Sequence, residues 1–422
     1  MDARYERGQH IADTYRLTRQ PSPKGGDTWL VPASVAGQYA VKIGEHFPTC
    51  TCKDYELRGM RCKHIFAVEI LLKRQQNADG STTTTKTVTV TDTVKKPTYK
   101  QDWPAYNKAQ TNEKDKFQML LADLCRGIVD DTPRTKGQPR LPLADAIFSA
   151  VFKVYSTVSG RRFSSDLREA EQRGHIEHAP HFNSIFNYLE NPAVTDILRS
   201  LITEASLPLK SVEVDFACDS SGFLTSRHIR WFDHKYGAER KKAEWVKVHI
   251  MCGVKTNVIT AVEIHERSTA DSPLLPVLTA ATRKNFTMRE VSADKGYLSA
   301  DNHDAIAAAG ATPFIAFKLN TKARAGGLFE KMFHYFSFRR EDFLAHYHKR
   351  SNVESTFSMM KAKFGDSIRS KTDTAMKNEA LAKVLCHNIV VLIHEMYELG
   401  IEPTFWAKSE VNTCAENPPA QR

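Results

Sequence analysis

The feature that most restricts the fold is a change of hydrophobic period near residue 211. Upstream, within residues 104–206, DKFQMLLADLCRGIV, PLADAIFSAVFKVYSTV and AVTDILRSLITEA repeat apolar positions at helical spacing, with polar turns at Gly174 and Pro180 between them. Downstream, SVEVDFACD, HIRWF, VKVHIMCGVKT and NVITAVEI read as a strand meander. Helix and strand then alternate. DSPLLPVLTAATRK is a helix with Asp271 or Ser272 as N-cap, EVSAD a short strand, SADNHDAIAAAG a helix closed by Gly310, and TPFIAFK a strand. ALAKVLCHNIVVLIHEMYELG is a long amphipathic helix stopped by Gly400. This order predicts an α/β fold, α+β overall, built on a mixed sheet with flanking helices.

Residues 1–77 read as a small separate unit. WLVPAS and QYAVKIG are short strands, and IFAVEILLKR is an apolar helix. Between them lies CTCKDYELRGMRCKH, which spaces Cys50, Cys52, Cys62 and His64 as Cys-x-Cys, nine residues, Cys-x-His. Three thiolates and an imidazole form a closed tetrahedral set suited to structural Zn²⁺, with no open position for catalysis. The spacing and the flanking strands resemble the SWIM zinc finger over residues 28–72. The remaining cysteines are isolated and read as buried thiols.

Residues 78–103, ADGSTTTTKTVTVTDTVKKPTYKQDW, have little to bury and read as a linker. The expected map is then the zinc module at 1–77, the linker at 78–103, a helical, DNA-binding domain at 104–206, a catalytic domain at 207–402 and a disordered tail at 403–422. A net charge of +10 and a pI of about 9.1 favour a polyanionic partner, with nucleic acid the commonest. The longest apolar runs are short, such as IVVLI at 389–393, and MDARYERGQH has no apolar signal core. Neither a membrane nor a small-molecule substrate is expected, and the reducing cytoplasm is the expected compartment.

Two strand-like segments end on aspartate before a turn: Asp219 in VDFACDSSGF and Asp294 in VSADKGY. Carboxylates at the ends of neighbouring strands sit where α/β sheets bind ligands. Asp215 shares the face of Asp219 by strand alternation and competes with it. A third acid, Glu354, lies in YHKRSNVESTFSMMK. There Tyr347, Arg350, Glu354 and Lys361 are spaced +3, +7 and +14, which places them within about 60° of one another on a helix. Alternatively, Ser351 and Glu354 form a capping box, which starts the helix at 351 and excludes Tyr347 and Arg350. Spacing alone leaves these two readings equal.

The stripe Tyr347-x2-Arg350-x3-Glu354-x6-Lys361 resembles the Y-R-E-K signature of bacterial insertion-sequence DDE transposases. DSSGF around Asp219 and ADKGY around Asp294 are similar to that family's two aspartate motifs, in the same order. The resemblance covers residues 211–397 and favours both the stripe and Asp219. It implies a ribonuclease H-like catalytic fold with Asp219, Asp294 and Glu354 holding two Mg²⁺ (or Mn²⁺) ions for phosphoryl transfer. It implies that Tyr347, Arg350 and Lys361 grip the DNA backbone at an element end, and that the protein works as a homodimer on double-stranded DNA, both element ends and target. Only 59 residues separate Asp294 from Glu354, so the large insertion of some relatives, which helps handle hairpin ends, is absent.

Residues 317–371 hold twelve Lys or Arg against five Asp or Glu, an excess of +7 that suits a DNA-backbone track. Trp231, in RHIRWFDHKYG, reads equally as a ring that stacks on an unpaired base and as a tryptophan packed in a strand core. A domesticated DNA-binding regulator on the same fold, and a nuclease without strand transfer, are the rival readings.

Overall fold

The computed structural model describes the chain apart from residues 1–2, 21–26, 34–36, 44–47, 59–60, 73, 77–81, 85–101, 131–140, 226–244, 267–268, 319–320, 323–325 and 407–422. It divides into two compact units, residues 1–93 and 94–422.

The first unit is a four-stranded antiparallel sheet, β1 Thr18–Gln20, β2 Asp27–Pro32, β3 Gln38–Ile43 and β4 Thr49–Cys50, with helices α1 Ala3–Thr14, α2 Lys53–Arg58 and α3 Lys63–Leu72. Strand alternation turns Trp29, Val31 and Val41 inward against Ile65, Val68 and Ile70 of α3. Helix α1 was not expected, because its apolar residues are sparse. It closes the core with Ile11 and sets the Tyr5 ring edge-on to Phe66, centroids 5.6 Å apart. The two helices meet at Gly8, where a Cβ would stand 2.6 Å from the Phe66 Cβ, so a larger residue would push them apart. β5 Arg74–Gln76 pairs with β6 Thr82–Thr84, so the expected linker opens inside a short ladder. Residues 85–101 of that linker lie outside the described residues.

In the second unit a five-stranded sheet has the order β11-β10-β7-β8-β9, from β7 Asp215–Leu224, β8 Trp245–Gly253, β9 Ile259–Glu266, β10 Glu290–Ala293 and β11 Thr312–Ile315. β7 to β9 form an antiparallel meander, and β10 and β11 run parallel to β7. This is the expected mixed sheet. One detail differs: β7 does not stop at Asp219, because residues 220–224 stay paired with residues 245–249 of β8. HIRWF, with Trp231, lies outside the described residues.

One face of the sheet presents Phe216, Cys218 and Met251 to α10 Leu274–Arg283 and α11 Ala300–Ala308. Neither Asp271 nor Ser272 caps α10: Pro273 holds the N-cap position. The Asp271 carboxylate instead meets Lys247 Nζ at 2.5 Å and Ser220 Oγ at 3.1 Å. The other face, with Ala217, Phe223, Val248 and Ile250, shares one core with α4 Trp103–Thr111, α5 Glu113–Arg126, α6 Leu143–Ser156, α7 Gly160–Gln172, α8 Phe182–Leu189, α9 Ala193–Ser206 and the C-terminal α15 Asp373–Glu398.

The helical block at 104–206 is therefore not a body of its own. The reason is α15, which is buried on every side from Asn378 to Ile393, its expected solvated face included, and so has to be covered all round. It is long and apolar enough for a membrane span by composition, but it is mostly buried within the protein. Asn388 ties it to both coverings: its Nδ2 donates to Ile202 O of α9 at 3.3 Å and to Ile259 O of β9 at 2.7 Å. The stretch read as polar turns forms α7 and α8, which bury only Phe163, Leu167, Ala170, Ile185 and Leu189. The expected tail starts later than 403, since Trp406 donates through Nε1 to Leu124 O at 2.9 Å and packs with Phe405 on the core. Residues 407–422 lie outside the described residues.

Lys153 of α6 is 7% exposed, and its ammonium has no hydrogen-bond or ion-pair partner among the described residues. Burial pushes its pKa down to about 8, with repulsion from Arg369 adding and Glu379 opposing. An unfolded lysine titrates near 10.4. Its unfolded state therefore binds more protons between those values, and stability rises with pH there. Lys153→Met should stabilise the fold by up to about 3 kcal/mol at pH 7, a gain that fades as pH approaches about 10. Denaturant melts at the two pH values check this.

Candidate active site and candidate metal centre

The acids are placed by the β7–β10 ladder. It pairs Asp215 with Glu290 and Cys218 with Ala293. One residue further, Asp294 follows Asp219 on the face that carries Asp215 and Glu290, because side chains alternate along each strand. Asp219 accepts from the Ser220 N–H at 2.8 Å. Asp294 leaves the strand as N-cap of a 3₁₀ turn, Lys295–Tyr297, and accepts from the Gly296 N–H at 3.4 Å.

The third acid arrives on a run of helices broken at Arg339 and continuous from Arg340 to Phe364, but not one helix. α12 Gly327–Phe338 and α13 Arg340–Tyr347 are followed by a 3₁₀ turn, His348–Arg350, and by α14 Ser351–Phe364. The capping-box reading fails, because Ser351 has helical backbone (φ −59°, ψ −17°) and its side chain makes no cap. With a helical turn upstream there is no free terminus to cap. The uniform stripe is also modified. In a 3₁₀ turn residues i and i+3 eclipse, and the Arg350 guanidinium lies 6.0 Å from the centre of the Tyr347 ring. One α-turn on, Arg350 Nη2 donates to Glu354 Oε1 at 2.6 Å, while Nη1 donates to Asp219 Oδ2 at 3.1 Å. Lys361, two turns beyond Glu354, donates to Ser221 Oγ of β7 at 2.7 Å.

Tyr347, Arg350, Glu354, Asp219 and Asp294 thus converge. Burial pushes the Asp219 carboxyl above its usual range, opposed by Ser220 N–H and Arg350 and reinforced by the charges of Asp294 and Glu354. Burial likewise raises Tyr347, beside Arg350 and the two aspartates. Three carboxylates here share one guanidinium, so the site is short of positive charge. The donor set is all hard oxygen, which fits Mg²⁺ or Mn²⁺. The acids are not closed around a point: Arg350 stands between Asp219 and Glu354. Among the described residues, ligand atoms all within 4.8 Å of one another occur in the cysteine cluster alone.

Asp215, the competitor, is occupied. Arg289 holds it from Nε at 2.8 Å and Nη2 at 2.6 Å, and Lys349 Nζ from 2.8 Å. Burial raises its pKa, but the hydrogen bonds from Arg289 and Lys349 together outweigh it and the carboxyl lies below its usual range. Lys349 also reaches Glu290 at 2.7 Å. This cluster was missed in the sequence, where Lys349 reads as one more charge in a basic run. The run is not all DNA track: Lys349 is paired internally, and Lys363 holds Glu113 at 2.7 Å. Lys295, Lys318, Arg340 and His348 do line, with Tyr347, a cavity of about 430 Å³ walled by Phe317, Phe333 and Phe336.

In the first unit, β4 delivers Cys50, Cys52 starts the turn into α2, and Cys62 and His64 lie at the start of α3. All four are buried, and their ligand atoms lie within 4.8 Å of one another. His64 Nδ1 is 3.8 Å from both Cys50 Sγ and Cys62 Sγ, while its Nε2 is buried without a partner. The imidazole is therefore aimed into the thiols through Nδ1, and Tyr39 packs on its ring at 4.5 Å. The hydrogen bond from Cys50, then that from His64, favours a thiolate at Cys62 against the opposing effect of burial. Donor type, closure and burial all fit structural zinc. Cys125, Cys218, Cys252 and Cys386 are buried and free, and Cys414 lies outside the described residues.

Comparison with known proteins bears on both sites. Residues 210–389 match the family model described as a transposase DDE domain. Residues 39–73 match that of the SWIM zinc finger. No match was found among curated proteins. One solved structure, a piggyBac transposase synaptic complex with hairpin DNA, is 10% identical with a TM-score of 0.32, covering 71% of this chain and 76% of that one. At that score the likeness adds nothing to the argument. The chain therefore carries a transposase DDE domain over residues 210–389, preceded in sequence by a SWIM zinc finger over residues 39–73.

Proposed function

We propose that this protein is the transposase of a DNA insertion sequence, which hydrolyses the strand at its element ends and uses the freed 3′-OH to attack target DNA. The convergence of Asp219 and Asp294, from neighbouring parallel strands, with Glu354 and Arg350 from the helical segment carries this reading. Asp219, Asp294 and Glu354 are the residues that would hold two Mg²⁺ or Mn²⁺ ions, which lower the pKa of a bound water or hydroxyl and neutralise charge at the phosphodiester. Tyr347, Arg350 and Lys361 orient the backbone of the element end along α14. Arg350 can trade its single bonds to Asp219 and Glu354 for a bidentate pair to one phosphate. The cationic, aromatic-walled cavity beside Tyr347 suits the adjoining strand, and Trp231 stacks on a base unpaired at the cut. Two ends must be brought together, so the working form is a homodimer on double-stranded DNA, in the cytoplasm at the nucleoid.

The test uses the DNA flanking the gene, purified full-length protein and Mg²⁺, with broken ends mapped by sequencing. Wild type should cut at matched inverted ends, and Glu354→Gln should not. Equal cutting by the variant, or cuts indifferent to the repeats, would count against the reading.

A further inference from the structure

The site's geometry rests on a second charge cluster one layer below it. Asp215 precedes Asp219 by four residues on β7, and Glu290 precedes Asp294 by four on β10. The two are direct partners in the ladder. Like charges directly opposite each other repel, and both side chains are only 13% exposed, so water screens them little. Lys349, five residues before Glu354, bridges them at 2.8 and 2.7 Å. Arg289 closes Asp215 from outside. His346 Nδ1 closes Glu290 at 2.9 Å and stacks on Phe314, ring centroids 4.5 Å apart. One ammonium therefore joins the three segments that each carry one acid of the site.

We propose that Lys349 is a positioning residue for this site: by bridging Asp215 and Glu290 it fixes the relative placement of Asp219, Asp294 and Glu354. The inference rests on the reading of the site given above. Lys349 and Arg350 supply the side-chain bonds described between the 3₁₀ turn and the sheet. Arg350 is the one that a phosphate or a cation at the acids would draw away. Lys349 contacts none of the three acids, so it stays in place when the site is loaded and holds the turn while Arg350 changes partner.

The experiment compares wild type, Lys349→Met and Lys349→Arg as full-length protein, at a temperature where circular dichroism shows each folded. Mn²⁺ binding is read by electron paramagnetic resonance, with Asp219→Asn marking the signal that belongs to the acids. End-DNA affinity is read by anisotropy, and cleavage by single-turnover rate at saturating protein. Lys349→Met should lower Mn²⁺ affinity and cleavage rate each by about 10- to 100-fold, the usual effect of removing a group that orients metal ligands. DNA affinity should hold, and Lys349→Arg should recover most of both losses. If Lys349→Met does not fold, Glu290→Gln, which cuts one side of the bridge, carries the same test with a smaller loss in the same direction. Wild-type Mn²⁺ affinity and rate in the folded variant, with only the melting temperature lowered, overturn the positioning role. Absence of any cleavage by wild type would sink the transposition reading, while the Mn²⁺ comparison would still decide the role of Lys349. A wild type with no Asp219-dependent Mn²⁺ signal overturns both.

Discussion

Replacing Cys62 with serine should unfold the first unit and leave the second folded. The core of the first unit is small: Val31 and Val41 of two alternating strands, Ile65 and Val68 of α3, and Ile11 of α1. A core in a unit of this size supplies no more than about 3–5 kcal/mol, and small units make up the shortfall with a staple. Here the staple joins β4, the turn into α2 and the start of α3, which are otherwise linked by few contacts. Structural zinc contributes about 10–16 kcal/mol to such folds. Serine keeps the size of cysteine but is a poor zinc ligand, so the loss should exceed the unit's net stability. The wild-type chain should contain one zinc per protomer by elemental analysis, and Cys62→Ser none. Amide exchange should then show residues 38–72 unprotected while the sheet of the second unit stays protected. Full protection in a zinc-free variant would remove the metal from the account.

The cysteine cluster was legible because a metal dictates both ligand type and spacing. The sheet was legible because alternation over VKVHIMCG and NVITAVEI has no helical reading. What could not be read is what tertiary pairing decides. DSSG has turn chemistry by composition, yet pairing with β8 keeps Asp219 inside an extended strand. The period of α15 reads as an amphipathic helix with one solvated face; that α9 on one side and β9 on the other bury it all round is decided by tertiary packing. Spacing brought Tyr347, Arg350 and Glu354 together, but the 3₁₀ turn that eclipses the first two leaves no mark in composition. Lys349 was invisible for a related reason. An ion pair across 134 residues of chain has no local signature.

The two aspartates that compete in the sequence should separate cleanly under mutation. Asp219→Asn should lower the cleavage rate by about a thousandfold, since metal-assisted charge stabilisation is worth several kcal/mol and each 1.4 kcal/mol or so is a factor of ten. It should not lower stability. The folded pKa of Asp219 is raised, first by burial and then by Asp294 and Glu354, so its ionised form weakens the fold at any pH above the unfolded value near 3.9. A neutral amide removes that cost and gives up one bond to Arg350, leaving the melting temperature level or slightly higher at pH 7. Asp215→Asn should do the reverse to stability. Its folded pKa is depressed, so its carboxylate stabilises the fold above the unfolded value and loses that contribution as pH falls through the lower, folded one. Breaking this pair leaves Lys349 short of an acceptor beside Glu290, while Arg289, 63% exposed, is solvated by water; the loss should be about 1–3 kcal/mol, below that of a fully buried pair. The deficit of Asp215→Asn against wild type should shrink as the pH drops below about 4. Melts over that range, paired with cleavage rates at pH 7, give each aspartate its own pattern. If Asp219→Asn melts earlier while Asp215→Asn melts like wild type, the roles assigned to the two positions are exchanged.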